Sequence, residues 1–250
     1  MTDTRTSHRL TIMGCGSSGG VPRIGAMWGK CDPENPKNRR RRCAVLVERF
    51  GKNGGVTRVL VDTPPDLREQ LLDTRVTAID GVIYTHDHAD HTHGIDDLRM
   101  VAYAMKKRID VWFDKPTRRS LEQRFDYCFR TPDGSSYPPI LISHDFNAGD
   151  KITISGAGGP ISVEAIGQVH GDINSLGLRF GPLAYSPDVS DLSPEAEARL
   201  QGLETWIVDA LRQTPHPSHF GLKDALSWIE RLAVKRGILT HMTGELDYAT

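Results

Sequence analysis

The stretch YTHDHADH at 84–91 sets three histidines and two aspartates into eight positions directly behind the apolar run GVI. The chain has ten histidines in 250 residues, and at that frequency a His-x-His-x-Asp-His pattern arises by chance about 10⁻³ times per chain. Along an extended segment alternate side chains share a face. His86, His88 and Asp90 can therefore point together from the end of a strand predicted at 81–85, while His91 turns towards a second centre. Imidazole suits zinc, iron and manganese, and a carboxylate hardens the second position. The spacing thus asks for a fold that delivers a strand end into a cleft holding metal.

Two ions need more donors than one turn supplies, and other strand ends offer them. His170 follows ISVEAIGQV, Asp188 follows PLAYSP and His241 follows RGILT. Asp62 ends RVLVD, where it can orient a ligand imidazole from behind. Singly, a histidine at a strand end is more often a hydrogen-bonded bystander, and an aspartate before a turn commonly makes an Asx turn. The weight lies in the set.

β-rich segments recur at 9–14, 43–50, 58–62, 81–86, 109–113, 151–155, 161–166, 176–180, 206–211 and 237–241. Helical patterns cover 66–73, 95–107, 193–200, which opens on Ser193 with Pro194 behind it, and 219–237, which Gly237 is expected to close. Strands interleaved with helices along the whole chain predict an α/β fold, sheets with helices packed outside, in one domain over 1–250.

Gly14, Gly16 and Gly19 match G-x-G-x-x-G, but Val21 and Pro22 follow where a dinucleotide site needs a helix. Bare backbone passing close to a substrate phosphate fits better, and Ser17 and Ser18 in that loop are candidates for substrate contact. The run Arg39–Arg42 reads as a solvated face from which one arginine can reach a phosphate. With a net charge of −1, bulk attraction to nucleic acid or an anionic membrane is not expected. No run approaches the roughly 18 apolar residues of a membrane span, so a soluble, cytoplasmic protein is expected. Its four cysteines form no C-x-x-C pair and are expected as reduced thiols.

THDHADHTHGIDDLR resembles the metallo-β-lactamase superfamily. HADHTHGIDDLR and HPSHFG narrow the likeness to its phosphoribosyl cyclic phosphate phosphodiesterase branch, and GCGSSGGVPRIG, LVDTPPDLREQLL, YSPDVS and LTHM extend it over nearly the whole chain. The resemblance implies a four-layer αββα sandwich with two divalent ions, zinc or manganese. His86, His88 and His170 would hold one ion, and Asp90, His91 and His241 the other, with Asp188 bridging. It also implies a last strand and helix beyond residue 250, and a homodimer. Some relatives carry a cysteine-rich zinc loop after GGVP; here only Cys31 stands in that segment, so this zinc is not expected.

Two ions about 3.5–4 Å apart can share a water and clamp a phosphoryl oxygen. Asp90 would accept a proton. His219, at the start of the 219–237 helix, would protonate the leaving group or grip the phosphate. His216 is expected to cap that helix, and His8, His93 and His144 receive no role. The function implied is hydrolysis of a small cyclic phosphate or nucleotide-like diester. A lactone or thioester hydrolase, an RNA 3′-end nuclease and a non-catalytic nucleotide binder are the alternatives.

Overall fold

Apolar runs that end in polar turns give the chain its strands. The computed structural model describes residues 7–249 and divides into two compact units, Met1–Met13 with Ala44–Ser162 and Gly14–Cys43 with Val163–Thr250. The first unit holds β1 (Ser7–Gly14), β2 (Ala44–Phe50), β3 (Val56–Val61), β4 (Gly81–Ile83), β5 (Ile109–Phe113) and β6 (Leu141–Asp145), adjacent in that order. β2 and β3 are antiparallel, and β3, β4, β5 and β6 are parallel neighbours. Each parallel step runs through helix: α1 (Leu67–Thr74), then α2 (Ala89–Thr92) and α3 (Leu98–Met105), then α4 (Lys115–Arg124) and α5 (Asp126–Phe129). Val59, Leu60, Val61, Val82 and Ile83 are fully buried, as parallel strands covered on both faces require. They share this unit with a core of Leu46, Leu60, Leu67, Leu98, Val111, Phe113 and Leu121. The short β7 (Lys151–Ile154) follows.

The second unit carries β8 (Ile161–His170), β9 (Ile173–Phe180), β10 (Leu183–Ser186), β11 (Thr205–Asp209) and β12 (Arg236–Thr240), in spatial order β12-β11-β10-β9-β8. A two-residue turn joins β8 to β9, with Gly171 at φ 60, the left-handed geometry such hairpins need. β9 is antiparallel to both β8 and β10, and β10, β11 and β12 are parallel. β8, β10, β11 and β12 therefore run the same way, and their carboxyl ends share one edge of the sheet. Ligands of α/β sheets gather at such an edge. α6 (Pro194–Leu200), capped by Ser193 as expected, and α7 (Leu222–Arg231) pack Ala196, Leu200 and Ala225 against Trp206, Val208 and Phe220.

Three expectations are corrected. The helix predicted at 219–237 spans only Leu222–Arg231. Phe220 is held outside it by its N–H to the Val189 carbonyl and its carbonyl to the Leu211 N–H, Ala233 turns left-handed, and Gly237 lies inside β12. The strand predicted at 81–86 ends at Ile83, and Asp90 and His91 sit on the helical turn α2 rather than on extended chain. At the glycine loop, bare backbone passes close to the chain itself. A Cβ on Gly16 would lie 2.8 Å from the Arg40 carbonyl oxygen, and the Gly16 N–H donates to the Arg41 carbonyl at 2.8 Å. Arg40, in the run read as a solvated face, is buried and donates to the carbonyls of Thr243 (3.1 Å) and Leu246 (2.6 Å). Among the described residues no helix is long and apolar enough to cross a membrane.

Candidate metal centre

The first unit gathers its donors where β3 and β4 end. Asp62, directly after β3, is fully buried and left-handed at φ 64, a conformation that costs a non-glycine residue roughly 1–2 kcal/mol. Its carboxylate accepts from the Thr85 N–H (2.8 Å), the Thr85 hydroxyl (2.9 Å) and His91 Nδ1 (2.8 Å). Burial pushes the Asp62 carboxyl up, and the His91 imidazole and the Thr85 bonds pull it back down. Because an acceptor holds the His91 Nδ1–H, the lone pair stands on Nε2, 3.5 Å from Asp90 Oδ2. The His86 ring centroid lies 4.6 Å from that of His88 and 4.4 Å from that of His91. His86 and His91 are buried and His88 is exposed.

The second unit gathers its donors from strand ends. Asp188, two residues past β10, is buried, with Oδ2 lying 3.5 Å from His170 Nε2, 3.6 Å from His241 Nε2 and 3.9 Å from His219 Nδ1. One ligand atom each from Asp188, His219 and His241 fall within 4.8 Å of one another. His241 follows β12 at φ 56, a second site residue held left-handed. His170 Nδ1 donates to the Ser218 carbonyl at 2.6 Å, which fixes its Nε2 as the acceptor. The Ser218 N–H and hydroxyl lie 3.3 and 3.1 Å from His216 Nδ1. Burial pushes the His216 imidazole down, which suits an accepting nitrogen. His216 thus steadies the residue that backs His170, and does not cap α7.

His219 Nδ1 is committed to Asp209 Oδ2 at 2.7 Å, which leaves Nε2 as the atom the ring can offer. Together with His216, Ser190, Asp191 and Trp228, the ring lines a cavity of about 450 Å³. α7 begins three residues later, so no helix terminus stands at His219. Asp209 was missed by the sequence reading. It is fully buried, also accepts the Val189 N–H (3.1 Å), and lies 3.9 Å from His241 Nδ1. The signal was present: WIVD ends a strand on aspartate just as RVLVD does at Asp62.

Of the loop serines, Ser17 is buried and Ser18 exposed. The Ser17 N–H donates to the Met242 carbonyl (3.1 Å), and its buried hydroxyl has no partner among the described residues. Cys31 is a buried thiol 3.3 Å from the Leu246 carbonyl. His144 stacks on Trp112 and bonds Asp110, and it belongs to no candidate metal group among the described residues. The donors fit a divalent metal: imidazoles with one nitrogen turned to an acceptor and the other available, beside the Asp188 and Asp90 carboxylates, whose charge a cation offsets.

This donor chemistry agrees with the comparisons. A family model described as "Beta-lactamase superfamily domain" matches residues 57–242. A diphosphatase of the PhnP family, known from its crystal structure, is 32% identical and superposes with a TM-score of 0.85, over 97% of this chain and 89% of that one. Zn²⁺-bound PqqB from Methylobacterium extorquens shares the fold at 16% identity, with a TM-score of 0.67 over 96% and 90% of the two chains. An octanoyltransferase of Porphyromonas gingivalis is 28% identical over 239 residues, 94% of this chain and 46% of its own length, so the chain spans about half of that curated relative. His-x-His-x-Asp-His after a buried strand, strand-end histidines backed by acceptors, and a family match over most of the length lead to one assignment: the chain has the metallo-β-lactamase α/β fold and belongs to the PhnP branch of the β-lactamase superfamily.

Proposed function

We propose that this chain is a metal-dependent hydrolase, a phosphodiesterase that works with two divalent ions, zinc or manganese, on a small phosphorylated substrate such as a cyclic phosphate or a nucleotide-like diester. In this reading His86, His88 and His170 serve one ion, Asp90, His91 and His241 the other, and Asp188 both. Neither unit alone supplies a full complement for two ions, and the donor types of the two are complementary. The likeness to a PhnP-family diphosphatase supports phosphorus as the reacting centre. Bound there, the ions would supply charge stabilisation to the phosphoryl oxygens and activate the attacking water.

The observation that carries the reading is the His219–Asp209 pair. Asp209 takes the Nδ1–H at 2.7 Å, so the ring, once protonated on Nε2 as the imidazolium, can give that Nε2 proton to a departing alkoxide as general acid. The buried Asp209 carboxylate stabilises that imidazolium, and the ring that has given up its proton is left as the neutral Nδ1–H tautomer. Ser17 presents a buried hydroxyl with no hydrogen-bond partner among the described residues, suited to a phosphoryl oxygen. Asp90, whose side chain is 13% exposed, would take a proton from water.

The test is turnover of bis(p-nitrophenyl) phosphate and 2′,3′-cyclic nucleotides by protein supplied with manganese or zinc, beside nitrocefin and homoserine lactones. Phosphodiester hydrolysis that disappears with a chelator is expected. Hydrolysis of the lactones alone, or nucleotide binding without turnover in any metal form, overturns the reading.

A further inference from the structure

A second cavity, of about 260 Å³, lies within the second unit between the loop at 23–29 and the segment that follows His241. Arg23, Met27, Gly29, Thr243, Gly244 and Glu245 line it. Its walls are locked together by backbone. The Lys30 N–H donates to the Gly244 carbonyl at 2.6 Å, a Cβ on Gly29 would lie 2.5 Å from that same oxygen, and a Cβ on Gly244 would lie 2.4 Å from the Trp28 carbonyl. Side chains are excluded at both glycines, so bare backbone forms part of the lining.

Two residues of opposite charge, the exposed Arg23 and the half-buried Glu245, line this space without pairing. The stem of Arg23 is laid against the glycine loop, since a Cβ on Gly19 would sit 3.1 Å from Arg23 Cγ. Its guanidinium makes no hydrogen bond or ion pair among the described residues, and neither does the Glu245 carboxylate. A group that fills the gap must accept on one side and donate on the other. Phosphate alone would meet Glu245 as a like charge, and an aliphatic group would leave both ions unanswered. A flat heteroaromatic edge carrying acceptors beside N–H donors answers both. Guanine is the fullest case, with O6 and N7 for the guanidinium fork and N1–H and N2–H for the carboxylate. The volume falls below the roughly 300–1,000 Å³ of drug-sized sites, which suits a single ring system rather than a whole nucleotide.

Its place in the chain ties the cavity to the chemistry. Thr243 lies two residues after His241, at most about 7 Å along the backbone, and the Ser17 N–H is bonded to the Met242 carbonyl between them. We infer that this cavity is a nucleobase subsite with guanine preference, Arg23 and Glu245 reading the base edge. The inference rests on the phosphodiester reading above for its substrate class, which it narrows to purine nucleotides.

Binding and turnover separate the two ideas. Guanosine and adenosine, which carry no phosphate, are titrated into the protein and followed by saturation-transfer NMR. Saturable guanosine binding is expected, weakened at least tenfold in Arg23→Ala and in Glu245→Gln. In parallel, kcat/KM for 2′,3′-cyclic GMP is divided by that for bis(p-nitrophenyl) phosphate. The ratio is expected to fall at least tenfold in either variant, circular dichroism confirming that each is folded. Absence of guanosine binding to the wild type, or equal binding by the variants, overturns the subsite whatever the hydrolysis assay gives. Guanosine binding without any phosphodiester turnover leaves the subsite standing and removes the phosphodiesterase reading.

Discussion

The two groups of candidate metal donors are built in opposite ways. In the first unit they sit on one continuous turn, Thr85 to Thr92, pinned from behind by a single carboxylate, Asp62, which accepts from three donor groups. In the second unit the donors come from three strand ends spread over some seventy residues, and they meet around Asp188. A local turn keeps its shape through local bonds. A group assembled from strand ends keeps its shape only as long as the sheet and its connecting loops do. Damage to the first should therefore stay local, whereas loss of the hub of the second should spread to every donor around it.

The largest effect is expected from Asp188→Ala. It removes the carboxylate beside His170, His241 and His219 together, so activity should fall by more than the ~100-fold ceiling typical of residues that only orient ligands. Metal analysis of the purified variant should show reduced content, and unchanged metal with near-normal turnover would break the comparison. Next comes His219→Ala, with kcat for a 2′,3′-cyclic nucleotide lower by about 10²–10⁴-fold. Bis(p-nitrophenyl) phosphate, whose leaving group needs no proton, should lose much less. Equal losses on the two substrates would instead make His219 a phosphate-gripping residue.

The paired substitutions Asp62→Asn and Asp209→Asn sharpen the contrast, each costing about 10–100-fold in activity. Asp62→Asn should act through metal affinity, because Asp62 backs His91. Asp209→Asn should act through kcat with the metal content kept, because Asp209 backs His219. Metal titrations of both proteins read the difference directly. The smallest effect concerns stability alone. Arg40→Met strips the Thr243 and Leu246 carbonyls of a buried donor, a loss of about 1–3 kcal/mol that thermal unfolding should register as a lower Tm.

The same contrast explains how far the residues alone could be read. His86, His88, Asp90 and His91 announce themselves because their proposed ligand roles share one short motif, although Asp90 and His91 sit on a helical turn, which alternation along a strand does not foresee. His170, Asp188 and His241 are legible only as strand-end residues weighed together. Asp209 carried the same strand-end mark as Asp62 and was passed over, since its partner His219 lies ten residues on, past a loop whose path the sequence does not dictate. The helix at Lys115–Arg124 escaped because only Thr117 and Leu121 are buried, too few for a periodic signal, and its clue was the Asp114 cap bonded to the Thr117 N–H. The reach of α7 was overdrawn because apolar spacing continues past Arg231, while the backbone bonds of Phe220 and the left-handed turn at Ala233 end the helix on either side.

The central proposal is the assignment of His88, His170 and His241 to two bound ions, and metal stoichiometry in paired variants tests it most directly. Protein loaded with zinc or manganese and freed of excess should carry two ions per chain, and His88→Ala and His170→Ala should each lose one. Because both residues are assigned to the same ion, the double variant should still retain the other, whereas His88→Ala with His241→Ala should retain none. A His88/His170 double variant emptied of metal, or a His88/His241 pair that keeps an ion, would contradict the account.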